Sequence, residues 1–241
     1  MGRIIVIDGT SNAGKTTLCE NIERNIKNVV IVPGASLFVK IHKEKYPSIP
    51  AIPKDIQEEK ENQKFFFGLE LDRLIEANRL AKQDVDVFMD RGVLEILSVA
   101  YSFESIKQWN GIYENAENLY KRFIKIVNDK EIQLPDTHIL LQASVEEVKR
   151  RNILRQIERG QKLSENNWVE DELINKQIEF FDELNISENR NKIKLIDTNN
   201  KTKKEVLENV CEILNLKERE EDREKWLIYI AIRQIQMEHG L

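Results

Sequence analysis

The chain has 241 residues, 41% hydrophobic and 33% charged, and its 37 basic and 42 acidic side chains give a net charge of −5. That length suits one large globular domain, or one domain with an insert, and the composition excludes disorder, a collagen repeat and a disulfide scaffold. The mild acidity provides no overall field toward nucleic acid or an anionic membrane, so any bound anion must be held locally.

Cys19 and Cys211 lie far apart, with no CxxC or histidine spacing, and read as two free thiols in a reducing cytoplasm. Met1 leads directly into a β-branched run without signal-peptide zones, and the longest apolar run outside the strands, Trp226 to Ile232, has seven residues. Both features predict a soluble cytoplasmic protein with no membrane partner.

Short apolar runs alternate with amphipathic segments, which predicts an α/β three-layer sandwich built on a five-stranded parallel sheet. The first strand is Arg3–Asp8, followed by a helix over Thr17–Ile26 and a second strand at Asn28–Val32. Residues 34–84 then form a helical insert beside the sheet. It opens with Pro47, Pro50 and Pro53 and continues as a helix over Ile56–Gln83, on which Leu69, Leu71, Leu74, Ile75 and Leu80 roughly keep helical spacing. Strands follow at Asp86–Asp90, His138–Gln142 and Lys192–Asp197. Ser144–Glu147 and Thr202–Glu205 fit the capping-box pattern at the starts of two further helices, the second burying Val206, Val210 and Leu214. The charged run Lys217–Lys225 and apolar Trp226–Ile232 read as a C-terminal helix over 217–241 that docks on its own domain or serves a homodimer interface. The whole chain, 1–241, reads as a single domain.

Between the first strand and its helix stands Gly9-Thr10-Ser11-Asn12-Ala13-Gly14-Lys15-Thr16, which satisfies G-x-x-x-x-G-K-[ST] in the context that motif needs. Its glycines let backbone N–H groups curl around phosphate oxygens while the following helix presents its unpaired amides to the same charge. Gly9, Asn12, Ala13, Gly14, Lys15, Thr16 and Thr17 are therefore the expected ATP or GTP contacts, with Lys15 reaching the β- and γ-phosphates. Thr16 offers a hydroxyl to Mg2+, and a strand-end carboxylate completes the protein's share of the shell, with Asp90 preferred to Asp8.

On these residues the chain resembles the P-loop nucleoside and nucleotide kinases, most of all the thymidylate kinase and deoxynucleoside kinase branch, over most of residues 3–214. Similar features are Pro33-Gly34 after the second strand, Asp72-Arg73 within FFFGLELDRLIEA, and Asp90-Arg91-Gly92 at the end of the third strand. The resemblance implies a nucleotide-kinase type of P-loop fold and ATP-dependent phosphoryl transfer with Mg2+ to a nucleoside monophosphate or a (deoxy)nucleoside. It implies catalytic roles for Lys15, Asp90 and Arg91, and acceptor contacts from Asp8, Arg73 and Arg91, whose planar paired donors suit a phosphate. Arg151, Arg155 and Arg159 recur every fourth residue within 146–165, where related kinases carry an arginine-bearing lid, and Arg151 and Arg155 are taken as its catalytic members. Asp197-Thr198-Asn199-Asn200 follows the last strand, where such kinases pass a loop by the adenine.

Two departures bear on the acceptor. The family's acidic residue before Pro-Gly is replaced by Ile31-Val32, and without a base for a hydroxyl proton the reading tilts toward a monophosphate. Leu69 stands where thymidylate kinases carry a base-stacking phenylalanine. Phe65, Phe66 and Phe67 lie a turn earlier and cannot all face one pocket; Phe67 is the substrate-side candidate, although a core position suits these phenylalanines better. Alternatives are a kinase for another small molecule, of the nicotinamide riboside, uridine or antibiotic type, with Asp8 or Asp90 as general base, and a regulatory or defence ATPase without a small-molecule acceptor.

Overall fold

A computed structural model of the chain describes residues 1–158, 160, 170–186 and 192–217. Strands β1 (Ile4–Gly9), β2 (Val29–Val32), β3 (Asp86–Asp90), β4 (Thr137–Gln142) and β5 (Ile193–Asp197) form one parallel sheet in the order β2-β3-β1-β4-β5. These are the five strands expected, with no end displaced by more than one residue. The described helices are α1 (Lys15–Asn25), α2 (Ala35–Ile41), α3 (Ile56–Ala81), α4 (Val93–Lys107), α5 (Ile112–Asp129), α6 (Val145–Glu158), α7 (Asp171–Ile186) and α8 (Lys203–Leu214).

Strand side chains alternate between two cores, because a sheet covered on both faces needs apolar residues at every position. Ile4, Val6, Val87 and Met89 join Leu74 and Ala77 of α3, Leu97 and Ala100 of α4, and Phe123 of α5. Ile5, Ile7, Phe88 and Ile139 point the other way, onto Leu18 and Ile22 of α1, Val148 of α6 and Val210 of α8. On α8, Val206, Val210 and Leu214 are buried as their spacing required.

Thr202 and Glu205 close a full capping box at the start of α8. Its expected counterpart on α6 is only half made. Ser144 Oγ accepts from the Glu147 amide at 3.3 Å, but the Glu147 carboxylate turns to Arg150 and Arg151, and the Ser144 amide goes to Asn199 Oδ1 at 2.9 Å. The arginines offer the carboxylate stronger, charge-assisted bonds than the amide does, and they pull it down to a pKa of about 2.

The expected lid is α6 as far as Glu158. Arg159, residues 161–165 and the tail 218–241, with its apolar run, lie outside the described residues. Among those described, no helix is long and apolar enough to cross a membrane.

Candidate active site

The loop after β1 takes the shape its glycines permit. Gly9 has φ +134°, and a Cβ there would lie 1.9 Å from the Leu141 carbonyl oxygen, so no other residue fits. Asn12 and Gly14 are also left-handed, with φ of 54° and 103°. Gly14 is the N-cap of α1 and brings no side-chain acceptor, which leaves the helix start to an anion. One loop amide is already used: Ser11 N–H donates to Gln177 Oε1 of α7 at 3.0 Å, and Gln177 is buried.

Lys15 folds back over the loop, its Nζ donating to the Gly9 and Thr10 carbonyls at 2.8 Å each. Burial pushes its pKa down to about 8, against the pull of Glu95 and with the help of Arg91. A bound polyphosphate favours the charged ammonium, so nucleotide binding should take up a proton once the pH exceeds that value, and affinity should decline as pH rises from about 8 to about 10. Titration calorimetry in buffers of differing ionisation enthalpy checks this; identical heats in all of them would contradict it.

Thr16 Oγ1 donates to Asp90 Oδ2 at 2.8 Å, while Asp90 Oδ1 is buried without a hydrogen-bond partner. A hydroxyl and an unengaged carboxylate oxygen are the hard oxygen donors that Mg2+ takes, so these residues fit the ion. No group of three His, Cys, Asp or Glu able to hold a metal occurs among the described residues.

Asp8, expected on the substrate side and as second choice after Asp90 for the metal carboxylate, is turned away from the cavity. It is fully buried away from the cavity lining, Oδ1 accepting from the Gly92 amide at 2.8 Å and Oδ2 lying 3.2 Å from His138 Nδ1. Its task is to fix the turn that carries Arg91. Gly92 completes that turn, because a Cβ there would approach Val6 Cγ1 to 2.7 Å.

Beside the loop opens a cavity of about 730 Å3, walled by α1, the Pro33-Gly34 turn, residues 49–53, α3, the end of β3 and the first turns of α4. Arg73 lies in its wall with no exposed surface. Its Nε donates to Pro33 O at 3.0 Å, Nη2 to Asp90 O at 2.7 Å and Arg91 O at 3.2 Å, and Nη1 to Glu70 Oε1. Arg73 was expected to contact the acceptor, but four partners in the protein occupy it and make it a hub joining α3 to the ends of β2 and β3. The Asp72-Arg73 pair is split accordingly, with Asp72 accepting from Tyr46 and pairing with Lys45.

Arg91 does face the cavity. It has φ 73°, a strained conformation for a non-glycine residue, and its Nη1 donates to Glu95 Oε1 one turn into α4. Phe67 is a second correction: it is buried against Phe123, and Phe66, a hundred degrees around the helix by the geometry of ~3.6 residues per turn, lines the cavity instead. Glu59 and Glu70 also line the cavity, and burial raises each to a pKa of about 7. Glu59, Glu70 and Glu95 escaped the sequence reading, and Phe66 was named there but passed over for Phe67. Only Glu95 carried a legible signal, its i+4 spacing from Arg91.

The two lid arginines separate. Arg151 bonds to Glu147 at 2.7 Å, to the Ala13 carbonyl at 3.0 Å and to the Thr198 carbonyl at 2.6 Å, riveting α6 to the phosphate loop and to the turn after β5. Arg155, one turn on, lines the cavity.

The fold, a parallel β2-β3-β1-β4-β5 sheet carrying this loop with the helical insert 34–84 beside the cavity, is shared with two solved kinases. Thymidylate kinase from Candida albicans shares it at a TM-score of 0.60 and 15% identity, over 91% of this chain and 98% of that one. Deoxyadenosine kinase from M. mycoides, solved with dCMP and a flexible dCDP, shares it at a TM-score of 0.53 and 18% identity, over 88% and 98%. No protein-family model matches the sequence, and no curated protein does.

Proposed function

We propose that the protein transfers the γ-phosphoryl group of ATP, with Mg2+, to a small acceptor of the nucleoside or nucleoside monophosphate class. The observation that carries this reading is the cavity itself, which opens beside the phosphate loop and has the Thr16–Asp90 pair, Arg91 and Arg155 in its lining. The shared fold of a thymidylate kinase and a deoxyadenosine kinase supports a nucleotide-like acceptor. The net charge of −5 supports a small molecule rather than a nucleic acid.

In this reading the loop amides and Lys15 hold the β- and γ-phosphates, and Lys15 exchanges the carbonyls of Gly9 and Thr10 for phosphate oxygens. Thr16 and Asp90 hold the metal, which when bound neutralises charge on the polyphosphate. Arg91 orients the acceptor, and Arg155 adds positive charge from α6 as water is excluded. Arg73 keeps Pro33, Asp90 and Arg91 in register and touches neither reactant.

The test is to incubate protein, Mg2+ and ATP with a panel of nucleosides and their monophosphates. ADP release that depends on an added acceptor is expected; release indifferent to every acceptor would leave only an ATPase.

A further inference from the structure

Glu95 lies in the first turn of α4 where the cavity meets the phosphate loop, and the fold treats its two carboxylate oxygens differently. Oε1 accepts from Arg91 Nη1. Oε2 is buried without a hydrogen-bond partner; Lys15 Nζ is 3.9 Å away and gives its protons to the Gly9 and Thr10 carbonyls. A buried carboxylate oxygen left without a donor is costly, and one kept in a cavity wall is matched to a donor that arrives with a ligand. Lys15 marks where the terminal phosphate of the donor sits. That oxygen, 3.9 Å from the ammonium, belongs to a residue in the lining of the same cavity.

We propose that Glu95 Oε2 is the general base for an acceptor hydroxyl, and that the substrate of this cavity is an uncharged nucleoside rather than a nucleoside monophosphate. The inference rests on the kinase reading above and deepens it. It also supplies the acid that the sequence lacks at Ile31-Val32: the group comes from α4 instead of from the end of β2. Charge in the cavity points the same way. A monophosphate would place about two negative charges beside Asp90 and Glu95, where Arg73 is already paired with Glu70 and Arg91 with Glu95, and the lining sets Arg155 of α6 against them. A neutral alcohol brings a proton to donate and no charge to repel.

The step balances within these groups. The acceptor oxygen bonds to the γ-phosphorus as its O–H bond breaks and the proton passes to Glu95 Oε2. The P–O bond between γ-phosphorus and the bridging oxygen breaks, its electron pair remaining on ADP. Glu95 then returns the proton to water. Arg91 holds the carboxylate in line throughout.

The experiment compares wild type, Glu95→Gln and Glu95→Asp on matched nucleosides and monophosphates, with ATP affinity measured separately by calorimetry. Glutamine keeps the shape and can still accept from Arg91. The expected result is nucleoside use by the wild type and a kcat about 10²–10⁴-fold lower in Glu95→Gln. Acceptor KM and ATP affinity should stay within about threefold, and Glu95→Asp should recover part of the rate. A structural role for Glu95 would instead raise KM or weaken ATP binding, and that pattern overturns the proposal. So does a Glu95→Gln kcat within about threefold of wild type, or a wild type that phosphorylates monophosphates and not nucleosides; in both cases the kinase reading survives. A wild type that uses no acceptor of either class overturns the kinase reading and this assignment together.

Discussion

Lys15→Met should abolish phosphoryl transfer, lowering the rate by about 10³-fold or more, while leaving the fold intact or slightly more stable. The side chain is buried, and its ammonium is so poorly solvated that its pKa falls to about 8, so the folded chain carries this charge at a cost. Methionine fills similar space without the charge. The folded state loses two hydrogen bonds to carbonyls and is relieved of a desolvated cation; the transition state loses the group that follows charge onto the leaving phosphate. Acceptor-dependent ADP release and a thermal melt test the two halves separately. A retained rate would remove Lys15 from the chemistry, and a collapsed melting temperature would make it structural.

Arg73→Met should act in the opposite sense, unfolding the protein before it alters specificity. The guanidinium is fully buried and supports the Pro33, Asp90 and Arg91 carbonyls and the Glu70 carboxylate. Removing it strands a buried carboxylate and several acceptors, a loss of about 3–5 kcal/mol. Adding Glu70→Gln to the variant should restore part of that stability, because the stranded charge is then gone. Urea unfolding of the two variants measures both effects. An Arg73→Met protein as stable as wild type, with only a raised acceptor KM, would return Arg73 to the acceptor-clamping role that its place in the sequence suggests.

The difference between those two residues shows where the sequence was readable. The strands and the phosphate loop came through because their signals are local: β-branched runs bounded by turn formers, and a glycine spacing with one structural solution. Helices α4, α5 and α7 were missed. Along VLEILSVAYSF the apolar residues run nearly all round α4, which packs among α3, α5 and α7, so no single-face periodicity marks it. At the site, Thr16 and Asp90 come within hydrogen-bond distance because adjacent parallel strands β1 and β3 bring their carboxyl ends together. Direction was not legible. Arg73 and Arg91 have the same chemistry, yet the first points into protein and the second into the cavity, a distinction set by the helix face of α3 and by the left-handed backbone at Arg91. Phe66 and Phe67 differ only by one step around a helix. Asp8 and Asp90 both end near the sheet's carboxyl edge, and the amide of Gly92 with the ring of His138 determines that Asp8 is committed.

The hub around Arg73 also bears on how such a pocket diversifies. Its floor is held by main-chain carbonyls and one ion pair, none of which depends on the side chains of Phe66, Ile96 or Val99 that line the cavity. Of the three, Phe66 and Ile96 also pack on the core and Val99 does not, so a change at Val99 reshapes the wall while leaving both the core and the Arg73 hub in place.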